Sequence, residues 1–179
     1  MALTGLFMCI FLVVHLIGNI QLFKNDGGQA FNSYAYLMTH FAPIKAISYL
    51  LYTSIIVHAV YALVLTIKNK KARTVGYAAY NGGANSPWTS RNMGILGTVL
   101  LIFIVIHMKS FWAEYHWGAL PYAQYEVSLS DPQAVKVTSL PLDGKEQTHV
   151  TYIDAKKNTQ ITISKDLYKI VDKAFKQWW

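Results

Sequence analysis

The residues with the most chemical potential in this 179-residue chain are three histidines set inside apolar runs, His15 in "FLVVHLIGN", His58 in "SIIVHAVYA" and His107 in "LIFIVIHMK". A titratable ring in hydrocarbon is costly, so its presence there asks for a task. An imidazole offers two, ligating a metal through a ring nitrogen or hydrogen-bonding a neighbouring helix. Taken singly, each histidine fits either. Their placement together decides more, and that depends on the elements carrying them.

Three apolar runs cover residues 2–23, 46–67 and 93–112. Each has about the 20 residues a helix needs to cross roughly 30 Å of hydrocarbon. Lys109 is the one formal charge within them, near enough to an end for its ammonium to reach the headgroups. The net charge of +7 lies entirely in residues 1–113, because residues 114–179 hold eight Lys against eight Asp or Glu. Most of the excess is "KNKKAR" (68–73) with Arg91, between the second and third runs. That position is the positive-inside signal, so residues 68–92 are placed in the cytoplasm, and residues 24–45 and 113–179 outside. No aromatic or Gly-rich framework accompanies the basic cluster, which argues against a nucleic-acid partner. The lone Cys9 excludes disulfides and covalent C-x-x-C-H haem attachment. The first run lacks the basic start and cleavage site of a secretory signal and is read as a retained helix.

With a rise of 1.5 Å per residue, His15 lies about 4 Å past the middle of the first run toward the outside, and His107 about 7 Å past the middle of the third. These two helices run the same way, so the rings share one depth. His58 falls roughly 2 Å to the cytoplasmic side of the middle of an oppositely directed helix, in a different layer. Two imidazoles at one depth on different helices form a clamp for a haem iron, with the flat macrocycle between helices. Zinc would ask for carboxylate or thiolate ligands nearby, which are missing.

Between the first two runs, "KNDGG" (24–28) is turn chemistry, and the tyrosine-rich "QAFNSYAYLMTHFAPIK" suits a short amphipathic helix at the interface. Pro43 fits the first turn of the second span. "NGGANSPW" (81–88) reads as turns. Beyond Gly118, "AVKVTSL", "HVTYI" and "TQITIS" alternate with "PLDGKE" and "DAKKN", giving two or three short strands. Ser164 is placed as the cap of an amphipathic helix "KDLYKIVDKAFKQ". The expected fold class is thus an all-α transmembrane helix bundle (residues 1–112) followed by a small β-rich outer segment and a C-terminal amphipathic helix (residues 113–179). Met1 opening into lipid-soluble sequence and the terminal Trp178–Trp179 pair are read as the ends of a truncated chain.

The stretches "ALTGLFMCIFLVVHLIGNIQLF", "SIIVHAVYALVLTIKNKKAR" and "SRNMGILGTVLLIFIVIHMKSFW" resemble the diheme cytochrome b subunit of succinate dehydrogenase and fumarate reductase, in the five-helix form of menaquinone-using bacteria. The resemblance covers most of residues 2–112. It implies that His15 and His107 ligate a distal b haem and that His58 supplies one ligand of a proximal haem. The second proximal ligand would sit on a fourth helix, beyond this sequence, as would a fifth helix. Partners implied are a flavoprotein subunit and an iron–sulfur subunit on the cytoplasmic face of the bacterial inner membrane, with menaquinone as substrate. The segment 113–165 is longer than the family leads one to expect.

Trp88, Ser90 and Arg91 are candidates for the proximal haem's propionates, although a topological arginine and an interface tryptophan explain them as well. Asn19, Gln21, Lys109 and Trp112 are candidates for a quinone pocket. His40 and His116 are proton relays or exposed bystanders, and His149 is read as surface. The expected function is transfer of electrons between an iron–sulfur subunit and menaquinone. Rival readings are a haem-free membrane anchor and a cytochrome b subunit of another respiratory oxidoreductase.

Overall fold

The structure, a computed structural model, describes residues 1–76, 78–79, 81–141 and 149–176. The "LDGKE" part of the expected turn and the terminal tryptophan pair lie outside the described residues.

Among the described residues, three helices are long and apolar enough to cross a membrane. The first is α1 (Ala2–Asn19), extended by a 3-10 turn at Ile20–Phe23. Lys24 leaves in extended conformation, and Gly27 and Gly28 adopt positive φ, which ends the helical path. The Asp26 carboxylate accepts from the backbone N–H groups of Gly28 and Ala30, each at 2.9 Å, and so starts α2 (Gln29–His40). α3 (Ala42–Ala72) opens with Pro43 in its first turn, as expected. It is longer than the apolar run predicts because Lys68, Lys70 and Lys71 continue it, and cations favour a helix C-terminus. Two short turns, α4 (Gly82–Asn85) and α5 (Trp88–Arg91), lead into α6 (Met93–His107). A π-helical turn, Met108–Ala113, and α7 (Glu114–Trp117) carry this third span five residues past its expected end. Nearly all apolar side chains of the three spans face away from the protein, as lipid-facing helices require.

The remainder holds one antiparallel sheet of four strands, in the order β2-β1-β4-β3: β1 (Tyr122–Ser128), β2 (Val135–Leu140), β3 (Val150–Asp154) and β4 (Thr159–Lys165). β2, β3 and β4 lie where alternation places strands. The central β1 was not expected, although Ala123, Tyr125 and Val127 alternate there with Gln124, Glu126 and Ser128. Tyr125 stands opposite Val137 on one side and Thr162 on the other. The last helix, α8 (Leu167–Lys176), is capped by Asp166 and not by Ser164. Ser164 belongs to the β4 ladder opposite Ala123, while the Asp166 carboxylate accepts from Lys169 N–H at 3.0 Å.

The compact core lies at this sheet end of the bundle, around Tyr125, Ala123, Leu120 and Ile161. Asn32 of α2 is its polar centre. Its amide donates to Tyr125 Oη at 2.6 Å and to Asp166 at 3.1 Å, and its carbonyl accepts from Tyr168 N–H at 2.9 Å. One side chain thus ties α2, β1 and α8 together, with both its amide nitrogen and its amide oxygen paired. α2 is therefore part of the sheet's packing, more than a helix resting on an interface. Burial, with the Asp166 carboxylate second, raises the Tyr125 phenol far above its ordinary value, so it stays a neutral acceptor and donor.

Candidate functional site: histidines between the spans

His15 sits near the end of α1 and His107 closes α6, both approaching the sheet end of codirectional helices. Their ring centroids are 5.8 Å apart and their planes cross at 83°. The matched depth expected from helix rise is therefore a real proximity. Each ring rests on a phenylalanine four residues earlier, Phe11 on His15 at 5.4 Å and Phe103 on His107 at 5.5 Å, the spacing that makes helix side chains neighbours. Phe111, in the π-helical turn, closes on His107 from beyond at 5.0 Å. Asn19 donates from its side-chain amide to the His15 carbonyl at 2.9 Å.

Among the described residues none hydrogen-bonds either ring, and the two rings meet edge to face. Two imidazoles sharing one metal through bonds of about 2 Å have ring centres about 6 Å apart. The observed 5.8 Å matches that separation, and equally that of an ordinary edge-to-face ring pair. No group of three or more His, Cys, Asp or Glu side chains able to hold a metal ion occurs among the described residues. A donor set of two neutral imidazoles suits an iron whose other four bonds come from a porphyrin.

His58 occupies another layer. Its Nδ1 lies 2.9 Å from Thr4 Oγ1, and its Cε1 faces Gly5. Thr4 is eleven residues before His15, about 16 Å along α1. The two layers are thus further apart than the roughly 6 Å implied by centring each apolar run on its own midpoint. α3 is displaced along the bundle toward the basic end, a shift that run length does not reveal.

At that end an apolar groove of about 460 Å³ follows one face of α6, lined by Met93, Leu96, Gly97 and Leu100 with the hydroxyls of Thr89 and Ser90 at its rim. Ser90 is thus brought to a cavity. Trp88 is exposed beside it. Arg91 serves the local loop, donating Nη1–H to the carbonyls of Gly82 (2.8 Å) and Ser86.

At the sheet end Trp112 packs against Tyr52 of α3 at 5.8 Å, His116 at 4.4 Å and Trp117 at 4.9 Å. Lys109 is exposed, and Gln21 has a buried Oε1 without a hydrogen-bond partner among the described residues. His116 Nδ1 lies 2.8 Å from the Trp112 carbonyl. Tyr36 of α2 is sandwiched between His40 at 4.0 Å and His149 at 3.8 Å. His149 is thus half-buried on a tyrosine instead of free on the surface. Its pKa is held below the usual imidazole value by burial, with His40 adding to the effect.

Sequence reading missed Phe11, Phe103 and Thr4. The phenylalanines were findable as the residues one helical turn before each histidine. Thr4 carries no such mark. No protein-family model, curated protein or solved structure matches the chain.

Proposed function

We propose that the chain is a cytochrome b membrane anchor of a succinate:quinone oxidoreductase, passing electrons between an iron–sulfur subunit and menaquinone. The observation that carries this reading is the perpendicular pair of His15 and His107 rings on two codirectional spans. In this reading the two residues hold a distal b haem, and His58 supplies one ligand of a proximal b haem. Bound there, haem would supply one-electron transfer, and with imidazoles as its protein ligands it would bind oxygen poorly. Phe11, Phe103 and Phe111 keep water from the rings and lower the local dielectric. Trp88, Ser90 and Arg91 are the groups that would hold propionates of the proximal haem, and Ser90 lines the groove along α6. Gln21, with its unused acceptor, and the Trp112 aromatic cluster form the quinone side, joined by Asn19 and Lys109.

The protein then lies in the bacterial inner membrane, with residues 68–92 in the cytoplasm beside the flavoprotein and iron–sulfur subunits and the sheet outside. The Asn32 network favours a second reading, a haem-free anchor whose task is to hold the sheet at the membrane. The two separate in one preparation. The native complex is purified, its subunits identified, and its haem counted by pyridine haemochrome and reduced-minus-oxidised spectra. Two b haems are expected with succinate dehydrogenase-type partners. His107→Ala should remove one. A complex without Soret absorption, or full haem occupancy in His107→Ala, would overturn the ligand assignment.

A further inference from the structure

Thr4 Oγ1 lies 2.9 Å from the carbonyl oxygen of Met1 and 2.9 Å from His58 Nδ1. A hydroxyl has a single proton to donate. Given to the Met1 carbonyl, that proton leaves an oxygen lone pair facing His58, and only a protonated Nδ1 completes the second bond. Turned round, the hydroxyl serves Nδ1 and leaves the carbonyl to the Gly5 N–H, which donates to it at 2.9 Å, so the hydroxyl makes one hydrogen bond where the first arrangement gives it two. The arrangement with both bonds wins, because it pairs the hydroxyl as donor and as acceptor at once.

We infer that Thr4 is a positioning residue: it holds His58 as the Nδ1–H tautomer and thereby presents the Nε2 lone pair as a ligand. The first turn of α1 supplies the support as well as the acceptor. The ring edge rests over Gly5, where a Cβ would stand 3.5 Å from His58 Cε1. Nε2 has no hydrogen-bond partner among the described residues. The hydrogen bond at one imidazole nitrogen decides which nitrogen ligates and how basic it is, so Thr4 tunes whatever metal His58 binds. The purpose of this device rests on the reading of His58 as a haem ligand, whereas the tautomer itself does not.

The experiment uses the complex with 15N-labelled histidine, in bilayers, as wild type, Thr4→Val and Thr4→Ser. His58 is assigned by difference against His58→Gln. Solid-state 15N spectra should show a protonated Nδ1 and an unprotonated Nε2 at His58 in wild type and Thr4→Ser, and loss of that state in Thr4→Val. Optical redox titration should show the midpoint of one haem displaced in Thr4→Val, the other unmoved, and both restored in Thr4→Ser. A wild-type His58 protonated on Nε2, or a Thr4→Val spectrum identical to wild type, would overturn the inference. The wild-type spectrum decides alone if Thr4→Val does not fold. A protein with the Nδ1–H tautomer and no haem supports the role of Thr4 and defeats the cytochrome reading, which keeps the two failures apart.

Discussion

The ring of Tyr34 in α2 lies against the backbone of Gly18 in α1, where any Cβ would overlap it. The glycine in "HLIGN" is therefore a contact surface for a side chain of the sheet end. It fixes the end of α1 three residues beyond His15. Burial at this contact raises the Tyr34 phenol's pKa above its ordinary value.

Substitution at Gly18 should weaken this docking in order of size. Overpacking costs about 1–3 kcal/mol, and for alanine a gain of about 1 kcal/mol in helix propensity offsets part of it. Gly18→Leu is expected to lower the thermal midpoint of the detergent-solubilised protein clearly and Gly18→Ala slightly. A leucine variant as stable as wild type would show that Tyr34 does not pack there.

Asn32→Ala should loosen the sheet without touching the histidine pair. It leaves Tyr125 Oη and the Tyr168 N–H short of partners inside a packed core. A buried unsatisfied group costs about 1–3 kcal/mol, so a loss of about 3 kcal/mol is expected for the pair of them. Limited proteolysis within residues 119–176 should accelerate while the haem count of the complex stays constant. Equal protease resistance would place the stability of the sheet elsewhere.

What was legible in the sequence was what helix rise alone decides. His15 and His107 lie on codirectional helices, so their common depth needed no tertiary knowledge. His58 lies on the opposing helix, and its depth depends on how far α3 slides along α1, which composition does not encode. Asn32 sits in a tyrosine-rich stretch that suits an interface, and nothing local says that Tyr125, 93 residues later, will cover it. β1 was missed because its buried face is built from alanine and tyrosine instead of the branched residues that mark β2 and β4. Thr4 and the Ser164 to Asp166 correction are local matters of single hydrogen bonds, below the resolution of pattern.

The packing of His149 on Tyr36 should weaken as the solution becomes acidic. Its pKa lies below the unfolded value of 6.5, so in that interval the unfolded chain binds a proton that the folded chain does not. Stability must then fall as pH drops through 6.5, and level off below the folded value. His40 faces the same tyrosine and adds a like charge when protonated. The protection of the β3 amides, taken as exchange relative to the intrinsic rate at each pH, should be lower at about pH 5.5 than at about pH 7.5, and His149→Phe, which keeps the stack, should reduce the difference. An unchanged difference in His149→Phe would assign it to another group.

His15 and His107 should behave as one unit. If both bind one iron, removing either ring empties the same site, and removing the second has nothing further to empty. Measured as haem per complex, His15→Ala and His107→Ala should each lose one of two haems, and the double variant should lose the same one and no more. Independent sites give the opposite pattern, because the effects of residues without a shared partner add. Truncation to alanine also leaves space where each ring stood, so added imidazole should restore part of the lost absorption in either single variant. Loss of both haems in the double variant, with one lost in each single, would mean that the 5.8 Å pair of rings serves two different sites.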